Sequence, residues 1–341
     1  MINIIKIFYF VLFSTVYLLN SEEENKIQRS IGLIHNETFR GEREFAERVK
    51  IACENLNWKI LITNPDSYEN LDQEFDWVFT LAPNKKGSTR YDDYLMLFDP
   101  ERHYFGPNGD LSENYLGYAG YLTTYEKIHL LLIDVKFEAS RIYPKRWYPT
   151  AQYRNYQKVN PTRLFYMICN WGNRRNQISY IQLMKRLANT SYTNFFGNPA
   201  LGMKYGKAYK GDIEFDGESV INKISDMGVC LVLHSNTHIK HAIPSGRIFE
   251  AAAASSVIIS DLNPFVIKNF GDSVLYVNHT LSGEEMFKQI DKHMKWIQTN
   301  PDKALKMAKK SYQIYIDHFL LENQLLDFEN FRESLHSVDG N

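Results

Sequence analysis

Apolar positions along the chain fall into two kinds of pattern that alternate. Short continuous runs stand at residues 30–35, 58–63, 77–81 and 94–98, the last two bounded by Pro, Asn or Asp. Runs of that length and bounding predict buried strands. Between the first two, residues 42–56 place Phe45, Val49, Ala52, Cys53 and Leu56 on one face at helical spacing. Residues 101–156 are less regular and rich in Tyr, Gly and Pro. They are expected to finish a first unit and lead into a linker around residues 149–161.

A second series then begins. Strands are predicted at residues 164–169, 193–196, 229–234, 257–260 and 274–277. Asn173 is placed to cap a helix carrying Ile178, Ile181, Met184 and Leu187. Further helices are predicted at 220–227, 245–254, 283–298 and 301–320, with another reaching Leu335. No internal repeat or low-complexity stretch interrupts the rhythm. Strand–helix alternation of this kind predicts parallel sheets covered by helices. The expected architecture is α/β: two Rossmann-like lobes facing a cleft, with C-terminal helices. The first lobe spans residues 28–155 and the second 160–335. Open parallel sheets bind ligands beyond the carboxyl ends of their strands, so the cleft between the lobes is the expected site.

Composition agrees with two domains. The chain has 341 residues, 44% of them hydrophobic, enough for two buried cores. Lys+Arg number 39 against Asp+Glu 40, which lacks the basic excess of a nucleic-acid binder. Cys53, Cys169 and Cys230 sit in apolar runs without ligand spacing, and read as buried small hydrophobes. The N-terminus differs from the rest. Residues 7–19 are continuously apolar, after Lys6 and before Glu22, Glu23 and Glu24. The run is shorter than the roughly 20 residues of a spanning helix and fits a signal-peptide core. Counted from Ile2 it is long enough for an anchor. Residues 1–21 are therefore expected to direct export or anchor the chain; a membrane-associated cytoplasmic protein is the second choice. Sequons stand at Asn36, Asn189 and Asn278, relevant only in a eukaryotic secretory lumen.

Candidate chemistry concentrates after the strand at 229–234. Residues 244–251 read Pro-Ser-Gly-Arg-Ile-Phe-Glu-Ala. Pro244 ends what precedes it, and Ser245 is a good helix cap. The start of such a helix offers free N–H groups and a positive dipole end, which suit a diphosphate. Gly246 leaves room for a phosphate, Arg247 supplies charge, and Glu250 one turn on is placed to accept from two vicinal ribose hydroxyls. On spacing alone, an ordinary capped helix with a surface Arg–Glu pair explains the same residues.

The co-linear flanks extend the pattern. From Tyr209 to Phe328 the chain resembles the second lobe of GT-B glycosyltransferases, in particular the group-1-like transferases that include CgeB-type proteins. The shared pattern runs through residues 244–261, Gly271 to Tyr276, and the helix start at Gly283 to Met286. Upstream it takes in Gly172, Arg174 and Arg175, the strand end Phe195-Phe196-Gly197, and Lys210-Gly211. The resemblance implies a donor lobe that holds a nucleotide-sugar. Glu250 would bind the ribose; Ser245, Gly246 and Arg247 would hold the diphosphate, with Arg174 and Arg175 assisting. It implies no cofactor and no bound metal, the nucleotide-sugar being a substrate. The acceptor would be a hydroxyl of a glycan, lipid or protein. In two respects the chain departs from the family. Many relatives that retain configuration pair this Glu with another eight positions earlier, where this chain has Ala242; and Ala254-Ser255-Ser256 lacks the usual Gly. The donor-sugar contact and the stereochemistry stay open.

Other signals are weaker. His234, His238 and His241 read as a polar loop rather than a metal site. Asp212, Glu214 and Asp216 read as a solvated turn, and Lys204, Lys207 and Lys210 as a basic loop. An inverting transfer needs a base for the acceptor hydroxyl, normally from the first lobe. His35 after the first strand is the first choice and Asp99 the second, with residues 36–41 as a loop over the diphosphate. Two other readings remain: an exported two-lobed solute-binding protein, and a non-catalytic GT-B scaffold. A serine-hydrolase elbow and an H-E-x-x-H zinc helix are both absent from the sequence.

Overall fold

The computed structural model describes residues 28–35, 40–65, 67, 74–81, 90–97, 117–126, 129–130, 132, 141–168 and 177–339. Two five-stranded sheets, parallel throughout, organise them. The first contains β1 (Ser30–Ile34), β2 (Lys59–Thr63), β3 (Trp77–Thr80), β4 (Asp93–Leu97) and β5 (Gly120–Thr123), in the order β2-β1-β3-β4-β5. The second contains β6 (Arg163–Ile168), β7 (Thr193–Gly197), β8 (Gly228–Val232), β9 (Val257–Asp261) and β10 (Leu275–Val277), in the order β10-β9-β8-β6-β7. Each order reverses once, between β1 and β3 in the first sheet and between β6 and β8 in the second. Crevices at such reversals are where open α/β sheets receive ligands.

Burial on both faces explains why the strands read as continuous apolar runs. In the second sheet Phe165, Met167, Cys230, Val232 and Ile258 enter one core, while Leu164, Tyr166, Ile168, Val229, Leu231 and Ile259 enter the other. In the first sheet Ile31, Leu33, Trp77, Phe79, Tyr94 and Met96 pack under α1 (Arg40–Asn55), which contributes Phe45, Ala46, Val49, Ala52 and Cys53. Cys53 and Cys230 are buried free thiols, and burial pushes both thiol pKa values up. They are inert packing groups.

The second sheet is covered by α2 (Ile178–Ala188), α3 (Ser219–Met227), α4 (Asn236–Lys240), α5 (Gly246–Ala253), α6 (Pro264–Phe270), α7 (Gly283–Thr299) and α8 (Pro301–Phe319). At the start of α7, Ser282 and Glu285 form a reciprocal capping box. A Cβ on Gly283 would lie 2.1 Å from the Ser179 carbonyl oxygen, so only glycine lets α7 meet α2 this closely.

The last helix, α9 (Leu321–Asp339), departs from the sequence expectation. Following the second lobe in the chain, its residues to Leu335 are expected from the sequence to belong to that lobe. In space Leu321, Leu325 and Phe328 are buried in the first lobe's core. Phe328 packs edge-on against Trp77 at 5.1 Å and Tyr94 at 4.9 Å between ring centroids. Among the described residues the chain thus crosses between lobes twice. The outgoing crossing is the extended segment at residues 148–160. The return at Leu320 lies beside it: Leu321 N–H donates to the Ala151 carbonyl at 3.1 Å, and the Tyr315 hydroxyl donates to the same carbonyl at 2.8 Å.

Candidate functional site

The helix read from residues 245–254 forms as α5, and Ser245 caps it: its hydroxyl accepts from Arg247 N–H at 3.3 Å. Ile248, Phe249, Ala251 and Ala252 are buried toward the sheet and the helices beside it. Their burial fixes the rotation of α5, so that Arg247 and Glu250, three residues apart, point together toward the first lobe. Arg247 is half-buried, pairs with Glu250, and lies 5.9 Å over the Phe165 ring. Gly246 also has a neighbour that the sequence did not disclose. A Cβ there would come within 3.2 Å of the Pro149 carbonyl oxygen, so the interlobe segment passes directly over the helix start.

Glu250 is 2% exposed, and its second partner comes from the other lobe. Arg48, in the middle of α1, donates from Nη2 to Glu250 Oε1 at 2.5 Å and from Nη1 to the Thr150 carbonyl at 3.2 Å. Arg48 belongs to a stripe on α1 with Arg40 and Glu44, at helical spacing of four. Every member touches the second lobe. Arg40 pairs with Asp212 at 2.6 Å and stacks 4.3 Å over the Phe215 ring. Glu44 accepts from Gly217 N–H at 3.1 Å and lies 3.7 Å from Arg48 Nε. Burial pushes the Glu44 carboxyl above its ordinary value; Arg48 opposes this, and the charge of Glu250 adds to it. The loop ahead of α5 is also docked: Ile243 is buried in a cluster with Leu95, Tyr118, Tyr121, Tyr125, Leu132 and Ile142 of the first lobe.

This pair of lobes has counterparts among solved structures. HepE from Anabaena, determined with UDP-glucose, superposes with a TM-score of 0.55 at 10% identity, covering 91% of this chain and 100% of that one. Sucrose-phosphate synthase from Thermosynechococcus elongatus gives 0.54 at 10% identity, over 91% and 100% of the two chains. An alpha-glucosyltransferase determined with UDP and a 13-mer DNA gives 0.57 at 9% identity, over 89% and 100%. The chain has the GT-B glycosyltransferase fold. No family model and no curated protein matches its sequence.

Within the GT-B frame, the loop after β8 lies beside the reversal in the second sheet. Asp261, at the end of β9, holds it. Its carboxylate accepts from His234 N–H at 2.7 Å and meets His234 Nδ1 at 2.6 Å. Ser235 caps α4 and lies 2.7 Å from His238 Nδ1. Burial, then the neighbouring His234, push the His238 pKa down to about 3, against the pull of Asp261. His241 faces the Tyr125 ring at 5.8 Å. The His234 and His238 rings lie 6.2 Å apart, and among the described residues no group of three or more metal-type side chains gathers. Asp216, two residues ahead of the α3 cap position, accepts from the N–H groups of Glu218 and Ser219. In the basic loop, Lys210 Nζ donates to the Lys207 carbonyl at 2.8 Å. Ala242, expected from the sequence to stand where many retaining relatives have a Glu, is exposed and has φ of 53°, a left-handed conformation unfavourable to Ala.

His35 follows β1 at the reversal of the first sheet. It is 5% exposed, and its N–H donates to the Thr63 carbonyl at 3.1 Å. Asp99, Gly172, Asn173, Arg174, Arg175, Cys169 and residues 36–39 lie outside the described residues, as do residues 7–19. Among the described residues no helix is long and apolar enough to cross a membrane. The structure thus brings Ser245, Gly246, Arg247 and Glu250 together and adds Glu44, Arg48 and Gly217, which sequence reading missed. The available signal was the charged stripe at 40, 44 and 48 on a helix whose opposite face is apolar. Such a stripe ordinarily faces water, so nothing local marks it as an interface.

Proposed function

We propose that the protein is a glycosyltransferase that moves a sugar from a nucleotide-diphosphate donor to a hydroxyl of a glycan, lipid or protein. The observation that carries this reading is the capped start of α5 with Arg247 and Glu250 behind it, set in the lobe interface of a GT-B fold. The HepE structure was determined with UDP-glucose, and the alpha-glucosyltransferase with UDP.

In this reading the diphosphate lies against the Ser245-capped helix end, beside Gly246 and Arg247. When the bond from sugar to β-phosphate breaks, negative charge grows on the leaving diphosphate. A fixed positive helix end and a guanidinium stabilise that charge without needing a metal. Arg174 and Arg175 supply further positive charge. Glu250 accepts hydrogen bonds from the two ribose hydroxyls and so sets the register of the nucleotide. His35, or Asp99 in its place, takes the proton of the acceptor hydroxyl. With Ala242 where relatives place a carboxylate, another group contacts the donor sugar. Residues 1–21 direct the protein out of the cell or hold it at a membrane, where glycan and lipid acceptors occur.

The test is a thermal-shift panel of UDP, GDP, ADP, CMP and dTDP. One of them should stabilise the protein, by about 2.7 kcal/mol at a hundredfold excess over its dissociation constant. The matching nucleotide-sugar should then be consumed with release of free nucleotide. Stabilisation by a free sugar or amino acid alone would turn the reading to a solute-binding protein. Nucleotide binding without donor consumption would turn it to a non-catalytic scaffold.

A further inference from the structure

The proposed nucleotide seat is occupied by the protein itself. Both oxygens of Glu250 are committed, Oε1 to Arg48 across the lobe interface and Oε2 to Arg247 on its own helix. The side chains of Glu250 and Arg48 are 3% and 4% exposed, so ribose hydroxyls have no approach while this arrangement holds. The helix start is partly covered as well, by the Pro149 carbonyl beside Gly246, while Ser245, Gly246 and Arg247 keep some exposure. Arg48 joins the two coverings, because its second Nη group holds the Thr150 carbonyl next to Pro149. The same helix face carries Arg40 on Asp212 and Glu44 on Gly217. Gly217 itself packs on the backbone of α1, where a Cβ would lie 3.1 Å from Arg48 N.

We infer that Arg48 is a positioning residue that latches the lobes over Glu250, and that a nucleoside diphosphate binds by exchanging its ribose hydroxyls for the Arg48 guanidinium. This rests on the donor-site reading of Glu250 and adds how that site opens. The exchange is chemically balanced. Glu250 trades its ion pair with Arg48 for two hydroxyl donors, whose bonds to the carboxylate are also charge-assisted, and keeps Arg247 as its counter-charge. The freed Arg48 keeps Glu44, 3.7 Å away, as its counter-charge, so neither lobe is left with a lone buried ion. Apparent affinity is then reduced by the fraction of molecules with the latch closed. Parting of the lobes runs along the Arg40–Glu44–Arg48 stripe and the interlobe segment, and it also loosens Ile243 from its first-lobe cluster.

Two measurements test this on the full chain, with UDP, GDP, ADP and dTDP as probes. In calorimetric titration, Arg48→Gln should bind the recognised diphosphate about five-fold tighter or more, because the closed fraction is removed. Arg48→Lys keeps a charge at the latch and should stay within about two-fold of the native protein. In the native protein, hydrogen–deuterium exchange of peptides covering residues 40–48 and 212–217 should rise at saturating nucleotide. Equal or weaker binding by Arg48→Gln, or exchange in those peptides that falls or stays constant, overturns the latch and leaves the functional reading standing. The exchange experiment decides this even where Arg48→Gln does not fold. Absence of binding by UDP, GDP, ADP and dTDP alike, to either protein, overturns the functional reading and the latch together.

Discussion

Glu250→Gln is the substitution whose consequence follows most directly from the geometry. The amide keeps the shape of the side chain and one acceptor oxygen but removes the charge. Arg48, 2.5 Å from Oε1 and buried, loses its nearest counter-ion. Removing one partner of a buried ion pair costs about 3–5 kcal/mol. Arg48 retains the Thr150 carbonyl at 3.2 Å and Glu44 at 3.7 Å, which places the cost at the lower end, about 3 kcal/mol. Unfolding entropy of about 2.1 cal/mol/K per residue turns that into a fall of about 4 °C in midpoint for a 341-residue chain. Scanning calorimetry reads it. A cycle with Arg48→Gln separates pair from environment: the double variant should lose at least about 1 kcal/mol less than the sum of the singles. A change below about 1 °C for Glu250→Gln, or strict additivity in the cycle, would refute the account of Glu250 as a buried interlobe carboxylate.

Three further outcomes follow from other parts of the fold. The folded pKa of His238, about 3, lies below its ordinary 6.5, so the unfolded chain takes up the proton first as pH falls. The stability it contributes is present above pH 6.5 and is lost toward 3, with a slope of up to about 1.4 kcal/mol per pH unit. Urea midpoints from pH 8 to pH 5 should show that slope, and His238→Gln should remove its share. Gly217 has φ of 82° and sits against the backbone of α1, so Gly217→Ala should lower stability by about 2 kcal/mol in chemical denaturation. Ala242 has φ of 53° on an exposed turn, and Ala242→Gly should raise the thermal midpoint, a gain of about 0.5 kcal/mol after the entropy of the unfolded glycine.

Much of the second lobe was legible because its signals are local. Ser245 caps the helix it was read to cap, and the strands at 163–168, 193–197, 228–232 and 257–261 were plain as apolar runs. The first four strands were legible for the same reason. β5 was not, because Gly120–Thr123 is short and lies in a Tyr-rich stretch without bounding turns of the usual kind. Helix α6 was missed although Asn263 caps it and Pro264 follows at its first turn; its seven residues are too few for periodicity to emerge. Helix α9 was seen as a helix, but nothing in its own sequence says that Phe328 will meet Trp77 in the other lobe. Of the residues gathered around Glu250, sequence reading named only those that lie within one helix. Arg48 and Glu250 are 202 positions apart, and no local rule joins them. A charged residue in mid-helix reads as solvated until the opposite surface is known.

The central claim is that residues 244–251 seat a ribose and its diphosphate. Titration calorimetry of the recognised nucleoside diphosphate against its 2′,3′-dideoxy counterpart tests it most directly. The account predicts binding at least about ten-fold weaker without the two hydroxyls, a loss of about 1.4 kcal/mol or more, and little further loss of dideoxy binding in Glu250→Gln. Equal affinity for the two nucleotides would contradict it.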